Sequence, residues 1–177
     1  KAGLRLQKRP GDQGIARLTD VRLPSGTVAE VDLVRGARPM DERRVFAAMA
    51  FLRDARGDFA VVFSVRRQQW GSPGGWREPG ESVAANATRE VREETGIVLA
   101  PEVLRPWGYE RFRHISGPPL TLPERDILQV FTADVGEVRP PMHGLLPDTS
   151  DRRWVSPDEY AHLCQEQYWW PLAAALI

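Results

Sequence analysis

An α/β fold, built as an α/β/α sandwich around a mixed β-sheet with an N-terminal β-hairpin extension, is the architecture this sequence predicts. Three observations predict it. Two near-continuous apolar runs, 45–52 and 59–65, read as core strands joined by the turn at 53–58. Two stretches, 83–95 and 157–167, read as helices, and strand patterns lie between them. A leading pair of strand-like segments flanks Pro24-Ser25-Gly26, a strong turn signal. The chain has 177 residues, enough for one domain with a sizeable core. It divides into an N-terminal extension, residues 1–40, and a main domain, residues 41–177.

The elements follow in order. Residues 1–14 are polar and glycine-bearing and read as a loose terminus. Segments 18–23 and 27–34 form the hairpin, and Thr27, Ala29, Val31 and Leu33 alternate so that one face is covered. After the two core strands comes 72–80, where Gly74, Gly75 and Gly80 with Pro73 and Pro79 predict a tight irregular turn able to approach a ligand. Ser82 is a plausible N-cap for the helix 83–95, and Gly96 suits its left-handed close. Strand patterns recur at 104–112 and 127–135 around a proline-rich loop, 117–123, and a second loop spans 138–149. Trp154-Val155 reads as a short strand, 157–167 as a helix capped by Ser156, and 171–177 as a final helical turn or two.

Composition excludes several classes. Lys plus Arg and Asp plus Glu each number 24, so no bulk charge draws the chain to duplex nucleic acid or an anionic membrane. The longest apolar runs are too short to span a bilayer. The single cysteine, Cys164, rules out an internal disulfide and an all-cysteine metal site, and points to a reducing cytoplasm. His114, His143 and His162 lack zinc-ligand spacing.

The chemistry concentrates in 75–97. At about 100° per residue, Ala84, Ala87 and Val91 share the stripe that packs on the sheet. Glu90, Glu93 and Glu94 stand at i, i+3 and i+4, so three carboxylates meet on a neighbouring face. Like charges at that spacing repel, and a hard divalent cation such as Mg²⁺ would relieve them. Glu81, just before the N-cap, can reach that cluster or the waters around it.

The order Gly75, Glu81, Arg89-Glu90, Val91, Glu93-Glu94, Gly96, Ile97 resembles the Nudix box of the Nudix hydrolases, with every defining position filled. The resemblance implies the Nudix fold and hydrolysis of a diphosphate linkage with Mg²⁺, or Mn²⁺ as substitute. It implies metal ligation by Glu90, Glu93, Glu94 and the Gly75 carbonyl, with Arg89 holding the glutamates through an internal ion pair. Glu93 or Glu94 is the expected general base. Asp148 and Asp151 are the loop candidates for an additional acidic ligand, at a position where the family more often has glutamate.

Arg67, Trp70, Trp76 and Tyr109 are the expected substrate contacts, by stacking or phosphate pairing. Three readings compete. The favoured one is a hydrolase of nucleoside di- or triphosphates, because 72–75 resembles that branch. The second is an ADP-ribose or nucleotide-sugar pyrophosphatase, suggested by the hairpin, which in that branch helps to form a homodimer and otherwise packs on its own domain. The third, a non-catalytic nucleotide-binding module, fits poorly with a box that keeps all its glutamates.

Overall fold

The computed structural model describes residues 8–121 and 124–177. Its strands are β1 (Gln13–Arg22), β2 (Val28–Arg35), β3 (Val45–Arg53), β4 (Phe59–Ser64), β5 (Gln69–Gly71), β6 (Gly74–Trp76), β7 (Arg105–Ser116), β8 (Ile127–Asp134) and β9 (Thr149–Val155). Among the described residues they make one sheet in the order β1-β2-β7-β8-β3-β4-β5, with β6 on β3 and β9 on β4. β3 and β8 run parallel and the other pairs antiparallel, so the sheet is mixed.

Side-chain alternation on the central strand separates two cores. From β3, Ala48, Ala50 and Leu52 face helix α1 (Val83–Thr95), meeting its Val83, Ala87 and Val91. The intervening Met49 and Phe51 face the other way, toward α2 (Pro157–Cys164) and α3 (Trp170–Ala174). There Tyr160 stacks on Phe59 with ring centroids 4.4 Å apart, and Trp169 packs near Phe51 at 5.8 Å. Two alanines on the α1 side let that helix lie close to the sheet. The expected sandwich is present, with one helix on one face and two short helices on the other.

The hairpin is also present. Gly26, at φ 86°, closes the turn between β1 and β2, and Thr27, Ala29, Val31 and Leu33 are all buried. It continues the main sheet, because β2 pairs with β7.

Several local expectations need correction. Gln13 and Gly14 belong to β1, opposite Arg35 and Val34, while residues 1–7 of the expected loose terminus lie outside the described residues. So do residues 122 and 123 of the proline-rich loop. Gly74–Trp76 is a strand, paired with Ala47–Met49, where an irregular turn was expected. A Cβ on Gly74 would sit 2.8 Å from the Ala48 carbonyl oxygen, so glycine is what permits this pairing. β9 extends the expected two-residue strand back to Thr149, and α2 ends at Cys164 rather than at 167.

β3 and β4 form a hairpin only at its base, where Arg53 faces Phe59. Beyond that the two strands part. β6 fills the β3 side of the gap, while β5 and β9 pair with β4. That opening brings the glycine-rich segment against the end of α1. No helix among the described residues is long and apolar enough to cross a membrane.

Candidate active site

Helix α1 is held at both ends by its own sequence. Ser82 Oγ accepts from the Ala85 N–H at 3.1 Å, and Gly96 at φ 76° ends the helix in the left-handed region. Its buried residues are Val83, Asn86, Ala87, Val91 and Thr95. Ala87 and Val91 match the expected stripe and Ala84 is partly buried, so the glutamates project from the neighbouring faces.

Arg89 organises one group of them. Its Nε donates to Glu81 Oε1 at 2.8 Å, and its Nη1 donates to Glu90 Oε1 at 2.9 Å and Glu93 Oε2 at 3.0 Å. Nη2 adds the Trp76 carbonyl at 2.8 Å. Hydrogen bonding to Glu81 raises the Arg89 pKa above its ordinary value. Burial pushes the Glu81 carboxyl up, but the bonds from Arg89 and the Glu78 N–H outweigh it and leave the pKa lowered. At Glu90 burial wins over Arg89, and the pKa is raised.

Glu94 stands apart. Its Oε2 accepts from the Gly74 N–H at 3.0 Å, and among the described residues it forms no ion pair. Burial pushes its carboxyl up to about 8, with Glu90 and Asp148 adding to the rise and Gly74 and Arg67 opposing it. Gly75 lies against Glu90, since a Cβ there would come within 2.5 Å of Glu90 Oε1. The Gly75 carbonyl accepts weakly from Asn86 Nδ2 at 3.3 Å.

Among the described residues no three His, Cys, Asp or Glu side chains already converge as a metal-ligand set. The donors are nevertheless all oxygen, and two carboxylates with raised pKa, Glu90 and Glu94, need a proton or a cation. That chemistry fits a hard divalent ion.

Glu94 also lines a cleft of about 350 Å³, open mouth included, with Met49, Arg67, Trp70, Gln167 and Trp169. Two of the expected substrate contacts, Arg67 and Trp70, are thus brought to Glu94. Trp76 is half exposed on β6, with its ring 5.1 Å from that of Phe46. Tyr109 is not brought there. Its ring is buried in the α1-side core, and its hydroxyl donates to Asp12 at 3.1 Å. Of the loop acids, Asp148 is near enough to raise the Glu94 pKa, whereas Asp151, at an exposed position of β9, accepts from the Arg152 N–H and pairs with Arg153.

Four participants escaped the sequence reading. Gln167 donates to the Trp70 carbonyl at 2.9 Å, and Trp169 walls the cleft as well. Asn86 sits under the glycine segment, and Arg77 bonds the Glu81 carbonyl, fixing the loop before α1. Asn86 alone carried a signal, as a polar residue adjoining the apolar stripe of α1.

The family model for the NUDIX domain matches residues 43–175. The chain belongs to the Nudix family. The β1–β2 hairpin precedes the matched domain. Its fold is similar to that of the pyrophosphohydrolase BsRppH of Bacillus subtilis, with a TM-score of 0.64 at 15% identity over 91% of this chain and 94% of that one. An Ap4A hydrolase of C. elegans matches with a TM-score of 0.52 at 17% identity, over 73% and 94%. A bifunctional NMN adenylyltransferase/ADP ribose pyrophosphatase of Francisella tularensis, solved with AMP and a manganese ion, gives 0.56 at 20%, over 78% of this chain and 42% of that one. At such identities the likeness speaks for the fold. None of the curated protein sequences compared with this Nudix chain matches it.

Proposed function

We propose that this Nudix protein hydrolyses the diphosphate linkage of a nucleoside di- or triphosphate, or a related nucleoside diphosphate derivative, with Mg²⁺ as cofactor and Mn²⁺ as substitute. The observation that carries the proposal is the position of Glu94. It is a partly buried carboxyl with no ion-pair partner among the described residues, it lies one residue from the Arg89 cluster, and it lines the cleft. Glu90, Glu93, Glu94 and the Gly75 carbonyl are the oxygens that would hold the metal. When bound, it would neutralise phosphate charge and acidify a water.

The remaining steps belong to the chain's own groups. The water oxygen attacks phosphorus, the bond to the bridging oxygen breaks, and a carboxylate takes the water's proton. Glu94 is the stronger of the two candidate bases. Glu93 is tied to Arg89, whereas Glu94 Oε1 has no hydrogen-bond partner among the described residues. Arg89 holds Glu81, Glu90 and Glu93 in place, Arg67 pairs with phosphate, and Trp70 stacks on the attached group. Asp148 is the preferred loop acid. A reducing cytoplasm suits the one buried free thiol, Cys164.

The ADP-ribose or nucleotide-sugar reading keeps one observation in its favour. The hairpin lies outside the matched 43–175, consistent with a division near residue 40, and β1 is a sheet edge on which a second copy of the chain can pair. A panel of nucleotides and nucleotide sugars with Mg²⁺, read by phosphate release and chromatography, tests both. Turnover of a triphosphate that disappears in chelator and returns with Mg²⁺ is the expected result. Full turnover in excess chelator would overturn the metal role, and a dimer cleaving ADP-ribose but no triphosphate would overturn the substrate.

A further inference from the structure

The last turn of a helix leaves carbonyls without intrahelical donors. In α1 these are the carbonyls of Glu93, Glu94 and Thr95, and all three find partners in one other segment. Leu145 N–H reaches Glu93 at 2.8 Å, and His143 N–H reaches Thr95 at 2.9 Å. The third donor is a side chain: Arg152 Nε reaches the Glu94 carbonyl at 2.7 Å. Its Nη2 donates to the Thr149 carbonyl, also at 2.7 Å. One guanidinium therefore ties the backbone of Glu94 to the residue beside Asp148.

The surroundings are shaped for this contact. A Cβ on Gly144 would collide with the Arg152 guanidinium, and one on Gly96 would come within 2.5 Å of the His143 ring. Arg152 forms no ion pair among the described residues, although Asp151 is its neighbour. Its charge faces the negative end of α1 instead. A planar fork spans two carbonyls in fixed geometry, which an ammonium cannot do. The Val65 N–H holds the Asp148 carbonyl at 2.9 Å, fixing the loop from its far side.

We infer that Arg152 is a positioning residue, holding the Asp148 loop against the end of α1 so that Asp148 and Glu94 face one cation together. This inference rests on the metal-dependent reading above. Arg152 touches neither metal nor substrate and acts through the two carboxylates.

The test is a double-mutant cycle on the full chain, with Arg152→Met, Asp148→Asn and the pair, read by Mn²⁺ binding in electron paramagnetic resonance and by kcat and KM. Each single substitution should weaken Mn²⁺ binding about tenfold, as loss of an outer partner of a metal site does. Each should lower kcat more than it changes KM, and the double variant should be no worse than the poorer single. Arg152→Lys, which can keep one of the two bonds, should recover part of the loss and serves if Arg152→Met fails to melt cooperatively. Wild-type Mn²⁺ affinity and kcat per folded molecule in Arg152→Met, or losses that multiply in the pair, would overturn the inference alone. A wild-type protein that binds no Mn²⁺ and turns over fully in chelator would overturn it together with the metal reading.

Discussion

Glu93 and Glu94 are neighbours on one helix and live in opposite electrostatic surroundings. Glu93 shares Arg89 with Glu81 and Glu90, all within 3.0 Å of that guanidinium. Glu94 has a single backbone N–H and a carboxyl pushed up to about 8 by burial. In the first group one guanidinium offsets part of the charge of three carboxylates and fixes their positions. The second is held mostly protonated at neutral pH by its burial, and it is the one that opens onto the cleft. A glutamate-rich box therefore divides its carboxyls between a set shared by one arginine and one held by a backbone N–H at the cleft.

Removing the shared cation should give the largest effect. Arg89→Met leaves three mostly buried carboxylates facing one another, and should destabilise the fold by about 3–5 kcal/mol in urea unfolding. Glu94→Gln in chelator should cost no stability, because it removes a burden. Equal urea midpoints for wild type and Arg89→Met would erase the distinction between the two groups.

Activity should sort the other way. Glu94→Gln should lower kcat by at least about 10²-fold, as expected for a general base or metal ligand. Glu93→Gln should lose activity too, but less, since the Glu90 and Glu81 pairs still anchor Arg89. Steady-state rates on whichever nucleotide the panel selects decide the order, and a Glu93 loss exceeding that at Glu94 would reassign the base.

The pH dependence of stability sharpens the comparison further. Glu94 and the fully buried Glu110 both have carboxyls pushed up to about 8 by burial, the latter opposed only by the Tyr168 hydroxyl at 2.8 Å. A raised folded-state pKa stabilises fully below the unfolded value near 4.5 and loses that contribution as pH climbs to about 8. In chelator, stability should fall across that window. Mg²⁺ should cancel the share due to Glu94, while the Glu110 share persists until Glu110→Gln removes it. Urea midpoints that stay flat from pH 5 to about 8.5 in chelator would contradict both assignments.

The smallest effects lie on the helix surface. Ser82→Ala should cost about 1 kcal/mol through the lost cap. Arg92→Ala, on the exposed face, should leave kcat and stability within error. An Arg92 variant as impaired as Glu94→Gln would mean the faces are misassigned.

What the sequence made legible follows from which interactions are local. Both ends of α1 were readable because Ser82 and Gly96 cap within a turn of themselves, and the box spacing marks the glutamates. β6 was not readable. Its glycines look like a turn until Ala48 and Met49 supply a strand to pair with, and that pairing is long-range. Gln167 and Trp169 likewise reach the cleft only because 165–169 folds back over β3 and β5. Tyr109 was misplaced because strand alternation alone did not say which face of β7 looks toward α1. The division of roles between Glu93 and Glu94 depends on Gly74 and on burial, neither of which spacing encodes.

The most direct test of that division is proton release on Mn²⁺ binding, measured by calorimetry at pH 7 in buffers of different ionisation enthalpy. A Glu94 carboxyl near 8 is mostly protonated at that pH, so the ion must displace its proton. The account predicts release approaching one proton per ion in the wild type and none in Glu94→Gln, which should also bind more weakly. Tight Mn²⁺ binding without proton release in the wild type, or unchanged binding by Glu94→Gln, would contradict it.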